Sequence, residues 1–131
     1  MKPCPCGSGA TEAACCGPLV AGEHRAVTAL ALMRSRYTAY VRGNVDYLIA
    51  THAAESRTGL ERTEIQKFTR TTLWLGLEIV TTVAGGEHDA EGIVEFVASG
   101  VTRGQAFRQH ERSRFRRDGD GAWCYVDGIL G

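Results

Sequence analysis

The chain has no long apolar run, no surplus of charge of either sign and only three prolines, and each absence removes a class of protein. No segment approaches the roughly 20 apolar residues needed to span a bilayer. Met1-Lys2-Pro3-Cys4 leads into cysteines rather than an apolar signal core, so the sequence predicts a cytoplasmic protein with no membrane contact. Fifteen basic and fifteen acidic residues cancel, and whole-chain charge therefore argues for neither a nucleic-acid coat nor a membrane-surface protein. Without an excess of Pro, Ser or Gln, and at 44% hydrophobic and 23% charged, the composition is that of a chain that collapses. There is no internal repeat. The 131 residues suffice for one hydrophobic core and are too few for two ordinary ones, so the expected organisation is a small segment over residues 1–19 and one body over residues 20–131.

Cysteine, by contrast, is concentrated. Cys4, Cys6, Cys15 and Cys16 lie within thirteen residues, too close to staple a fold and out of place as disulfides in a reducing compartment. So short a segment has no core in which to bury four thiols, and clustered thiolates of this kind close a tetrahedral structural site. Zinc is the expected ion, with iron an alternative for the same ligand set. Gly7-Ser8-Gly9 permits a sharp turn that leaves main-chain amides free to donate to sulfur. Residues 11–14 suit a helical turn presenting Cys15 and Cys16, and Gly17-Pro18 is expected to stop it. A catalytic metal is disfavoured because all four positions are filled.

Beyond the cysteines, Leu30, Met33, Tyr37, Tyr40 and Val41 recur at spacings of three and four, which predicts a helix over residues 28–41 ended by Gly43-Asn44. A short helix entered from Asn44 and a third over residues 63–69, with Thr63 as N-cap, follow. After Thr72 come four β-branched or aromatic runs, residues 73–83, 92–98, 105–116 and 122–126. Turns are expected at Gly85-Gly86, Ser99-Gly100 and residues 118–121. Short connections require an antiparallel meander. The fold class is therefore α+β, with the helices covering one face of the sheet.

In the third strand, alternation sets Phe107, Gln109, Glu111, Ser113 and Phe115 on the helix-covered face and Arg108, His110, Arg112, Arg114 and Arg116 on the other. Polar groups on the covered face need partners or a wet pocket. One reading makes Arg34, Tyr37, His52, Glu111 and Ser113 a ligand pocket, with Glu111 or His52 as general base. The other makes Arg34 and Glu111 a buried ion pair and His52 a residue at a helix end. The second is favoured, because no nucleophile-base spacing or cofactor loop accompanies these residues. Asp127 either caps the last strand or enters the cavity, and Cys124 is a packing residue. The arginine face, with Trp123 and Tyr125 as stacking surfaces, suits phosphate or RNA, although solvation or cross-strand pairing with Glu91 and Glu95 is the commoner use of such a row.

Cys-x-Cys-Gly-Ser-Gly followed by the Cys15-Cys16 pair resembles the SEC-C motif, the metal module at the carboxyl end of the translocase ATPase SecA and in other bacterial proteins. The remainder resembles the YchJ family through Leu32-Met33-Arg34-Ser35-Arg36-Tyr37, Asp46-Tyr47-Leu48, Trp74-Leu75-Gly76-Leu77, Glu111-Arg112-Ser113-Arg114-Phe115 and Val126-Asp127-Gly128. The resemblance implies a cone like nuclear transport factor 2, with helices packed on a curved antiparallel sheet. Many relatives carry a second SEC-C motif at the carboxyl end; none is found here, so one metal ion is expected. The lysines many such motifs hold between the cysteine pairs are replaced by residues 10–14, Ala-Thr-Glu-Ala-Ala, which weighs against a partner that reads a basic knuckle. No activity follows from the resemblance. The functional expectation is a zinc-binding adaptor or binding module whose partner is a protein or a small molecule, nucleic acid being less favoured. The alternative is an enzyme or small-ligand-binding protein that uses the cone cavity.

Overall fold

The structure is a computed structural model and describes residues 2–130. Its four helices are α1 (Gly17–Val20), α2 (Ala29–Arg42), α3 (Val45–Ala50) and α4 (Arg62–Thr71). Caps present in the sequence set most of the ends. Thr28 accepts the Ala31 N–H at 3.0 Å to open α2, and Gly43, at φ 72°, closes it in the left-handed conformation that glycine adopts at little cost. Asn44 accepts the Tyr47 N–H at 3.0 Å to open α3.

Two helix ends differ from expectation. Gly17-Pro18 opens α1 rather than closing the preceding turn, because a proline with fixed φ and no N–H suits a first helical turn. Thr63 lies inside α4, which starts at Arg62 from Glu61 with no side-chain cap, and the Arg62 guanidinium reaches Asp46 of α3 at 2.5 Å.

Strands β1 (Thr72–Ala84), β2 (Glu91–Thr102), β3 (Gln105–Arg117) and β4 (Trp123–Leu130) form the antiparallel meander in the order β1-β2-β3-β4. The turn expected at Ser99-Gly100 is strand. The reversal comes at Arg103-Gly104, both at positive φ (53° and 80°), the geometry of a tight hairpin. Gly100 is needed within β2, since a Cβ there would lie 2.6 Å from the Leu73 carbonyl oxygen and 2.9 Å from the Phe107 ring. Strand β4 runs past Val126 to Leu130, pairing Gly128 with Ser113. Register shifts in β1 fall at Leu75 and Val80. On the opposite edge, the chain after α3 pairs with β4: Ala53 N–H donates to Tyr125 O at 2.8 Å and Tyr125 N–H to Thr51 O at 2.7 Å.

The core lies between α2 and the inner sheet face, where Leu32, Met33 and Tyr37 meet Val94, Phe96, Ala98, Phe115 and Trp123. Each large side chain fully buried there is worth about 1.5–3 kcal/mol. Ser35, Thr38 and Ala39 are buried too, because α2 also touches α1 and α3 and is covered on more than the one face its apolar spacing marks. Ser35 is satisfied by donating to Leu32 O at 2.7 Å and by the Tyr47 hydroxyl at 2.6 Å.

Candidate metal centre and cavity

The four sulfur atoms of Cys4, Cys6, Cys15 and Cys16 lie within 4.8 Å of one another. Cys6 and Cys15 are 3.6 Å apart and Cys15 and Cys16 3.9 Å, close to the edge of about 3.8 Å of a tetrahedron with zinc–sulfur arms of about 2.3 Å. The residues fit a four-thiolate ion, and the cluster could hold one. The backbone brings them together as the chain doubles back: Pro3 bridges to Thr11, Cys4 N–H donates to Ala10 O at 2.9 Å, and a 3-10 turn at Glu12–Ala14 delivers the second pair.

Helix α2 supplies the surroundings. Arg34 Nη1 donates to Cys6 O at 2.8 Å and lies 3.8 Å from Cys6 Sγ, the Thr38 hydroxyl is 3.6 Å from Cys4 Sγ, and Arg42 pairs with Glu12. The thiols differ in their surroundings. Burial pushes Cys6 up, but hydrogen bonds led by that of the Ser8 side chain outweigh it and bring the thiol down to about 7. Burial holds Cys15 and Cys16 above the ordinary thiol range, with the charge of Cys6 adding to the effect. A bound cation removes that mutual repulsion.

The expected Arg34–Glu111 pair is not formed. Residues two apart on a helix differ by about 200° in direction, so Arg34 faces the cysteines while Arg36 enters the body. Arg36 is 5% exposed, its Nη1 donates to Leu48 O at 2.9 Å and to Thr51 Oγ1 at 2.5 Å, and its guanidinium lies 4.8 Å from the centre of the Tyr125 ring. The sequence signal lay in its spacing, three residues after Met33 and four before Tyr40.

Glu111 is 9% exposed and accepts from three neutral donors: Ser113 Oγ at 2.5 Å, Tyr125 OH at 3.0 Å and Gln109 Nε2 at 2.9 Å. Gly128 makes room for it, since a Cβ there would stand 2.6 Å from Glu111 Cδ and nearer still to Oε2. Burial, then the Arg36 and Arg57 guanidinium groups, push His52 down to about 4. Its Nδ1 is 3.4 Å from the Ser56 hydroxyl and its ring meets Tyr125 edge-on at 5.0 Å.

Tyr37, His52, Glu111 and Ser113 line one cavity of about 290 Å³, together with Arg36, Tyr40, Phe68, Trp74, Phe96 and Tyr125. The structure thus joins four of the five residues singled out in sequence and replaces Arg34 by Arg36. The aromatic wall from Phe68 and Trp74 had no distinguishing pattern in the sequence.

The arginine row faces outward as its alternation requires. Arg112 and His110 reach Glu95, Arg114 pairs with Asp127 at 2.5 Å, and Arg116 with Glu55. Asp127 is therefore neither cap nor cavity residue. Trp123 is buried, its indole N–H donating to Val27 O at 3.2 Å, and the Tyr125 hydroxyl bonds Glu111, so neither offers a stacking surface beside the arginines. Cys124 is buried, with Sγ donating to Arg116 O at 3.3 Å. Among the described residues no helix is long and apolar enough to cross a membrane.

Helices on a four-stranded antiparallel sheet, with a four-cysteine cluster ahead of them, define a nuclear transport factor 2-like protein bearing a SEC-C motif. Residues 28–128 match the family model described as "YchJ, middle NTF2-like domain". The chain belongs to the YchJ family. It is 48% identical over 128 residues to a UPF0225 protein of Chromobacterium violaceum, covering 97% of this chain and 92% of that one. The solution structure of a SEC-C motif containing protein from Rhodopseudomonas palustris superposes with a TM-score of 0.87 at 35% identity, covering 98% of both chains. A crystal structure of a SEC-C motif containing protein from Psychrobacter arcticus gives 0.82 at 27% identity, covering 98% of this chain and 82% of that one.

Proposed function

We propose that this is a cytoplasmic small-molecule-binding protein built round a structural zinc ion, with the cone cavity as the binding site. The observation that carries this reading is the cavity of about 290 Å³, with a buried arginine, a buried glutamate and a neutral histidine among aromatic walls. An adaptor whose body served only for docking would have no need of that buried polar set, which costs stability unless satisfied. The zinc would be held by Cys4, Cys6, Cys15 and Cys16, where it closes the segment and anchors it on α2; with four protein ligands it leaves no open position for chemistry. No cysteine among the described residues is paired in a disulfide, which suits a reducing compartment.

Two measurements test the reading. Elemental analysis of the purified protein should find one zinc per chain, lost when Cys4 and Cys6 are both replaced by Ser. Iron instead would change the metal and keep the site, whereas full retention of metal by the double variant would remove the ligand assignment. A fragment screen by NMR should give responses centred on Tyr37, Phe96 and Tyr125. Responses confined to the exposed Leu73 and Leu75 of β1 would return the adaptor reading to first place.

A further inference from the structure

The reading above leaves the ligand unnamed, and its class follows from which hydrogen-bonding groups in the cavity are already used. Glu111 accepts from Ser113, Tyr125 and Gln109, and its charge acts on Arg36 through space without contact. Arg36 is different. Among the described residues both of its side-chain hydrogen bonds run from Nη1, and no carboxylate oxygen lies within 4.0 Å of its guanidinium nitrogens. A guanidinium this deeply buried ordinarily keeps an anion at contact distance, and its remaining N–H groups form a planar fork matched to a carboxylate. Among the described residues, Trp74 Nε1 is a buried donor with no acceptor.

The rest of the lining says what the anion is attached to. Trp74 has the Tyr37, Tyr40 and Phe68 rings at centroid distances of 5.5–5.6 Å, a wall suited to a flat apolar group. Phe68, 37% exposed, also lines the cavity and stands where it meets solvent. The volume sits at the low end of ligand sites and admits one ring, not a nucleotide or an acyl chain.

Resting on the cavity reading, we propose that the ligand is a small aromatic carboxylic acid, its ring against the Tyr37, Tyr40 and Trp74 wall and its carboxylate on Arg36. An amine of the same shape would bring a second positive charge beside Arg36, and the carboxylate that could attract it already accepts three hydrogen bonds.

Three probes sharing one ring test the class: phenylacetate, phenylacetamide and phenethylamine, each titrated into the full chain while NMR follows the Trp74 indole N–H and the lining amides. Phenylacetate should bind saturably and at least about tenfold tighter than the other two, the difference a charge-assisted pair supplies in a buried site. Arg36→Gln should abolish that preference. Because Arg36 also anchors α3 and its variant could lose the fold, Trp74→Phe serves as the second variant, keeping a ring, removing the N–H and weakening phenylacetate severalfold. Amide or amine binding in the cavity as tightly as the acid overturns the proposed class and leaves the cavity reading standing. Unchanged phenylacetate affinity in a folded variant places the acid elsewhere and overturns the proposal. Silence from all three probes at millimolar concentration also overturns it, and the fragment screen then decides whether the cavity reading falls as well.

Discussion

The cysteine segment and the body reach the same depth of burial by different chemistry. Cys4, Cys6 and Cys16 are as inaccessible as Leu32 and Phe115, yet in residues 2–16 nothing but cysteine is buried. The body closes on apolar side chains set out by helix and strand periodicity, whereas the segment gathers four thiols that could hold a cation between them. Cooperative burial in one place and the proposed coordination in the other should therefore respond to different perturbants.

Metal removal separates the two most sharply and is expected to have the largest effect. After chelation, amide resonances of the segment should collapse toward random-coil positions while β2 and β3 amides keep their dispersion. The denaturation midpoint should fall, because Arg34 and Thr38 lose their contacts with Cys6 and Cys4. Complete loss of β-sheet circular dichroism would show that the body depends on the metal and that the contrast is false.

A smaller effect probes the body alone. Glu111→Ala strands three donors and should cost about 2–4 kcal/mol in chemical denaturation. Combined with Tyr125→Phe it should fall clearly short of additive, since the two share a hydrogen bond. Combined with Arg34→Ala it should add to within about 0.5 kcal/mol, because those side chains have no partner in common. Strong coupling of Arg34 to Glu111 would restore the ion pair that the structure replaces.

The smallest effect is acid sensitivity from His52. Its folded value of about 4 lies below the ordinary 6.5, so between those two pH values the unfolded chain takes up the proton first. Stability is intact above about pH 6.5 and declines as pH falls toward 4, by on the order of 2 kcal/mol after discounting for partial solvent screening. His52→Gln should flatten that stretch relative to the parent in urea melts. Identical slopes for the two proteins would place His52 in water rather than at the cavity.

Periodicity and turn chemistry made most of the fold legible: Thr28, Gly43 and Asn44 marked helix ends with their own side chains or φ angles, and the alternation along β3 assigned its faces correctly. Failures came where a residue's use depends on a distant neighbour. Gly100 and Gly128 look like strand terminators locally, but each is a small residue beneath a side chain from β3, Phe107 and Glu111 respectively. Arg34 and Arg36 are equally plausible inward residues until the cysteine segment claims one side of α2. The cysteine cluster was readable because its four members are close in sequence, whereas the cavity was only partly so because its wall is assembled from α2, α4 and all four strands.

The sheet's two borders carry one last consequence, for solubility. Along β4 the segment at residues 51–53 occupies the outer backbone groups beside Tyr125, while among the described residues no strand pairs with the outer side of β1, where Leu73 and Leu75 are about two-thirds exposed. A straight thirteen-residue border of that kind would template cross-chain pairing. The register slips at Leu75 and Val80 divide it into short pieces that cannot keep step with a regular strand beyond a few residues. The irregularity along β1 is thus a guard against fibrous self-association, and a deletion that restored its regularity would be expected to make a chain of unchanged fold prone to aggregate.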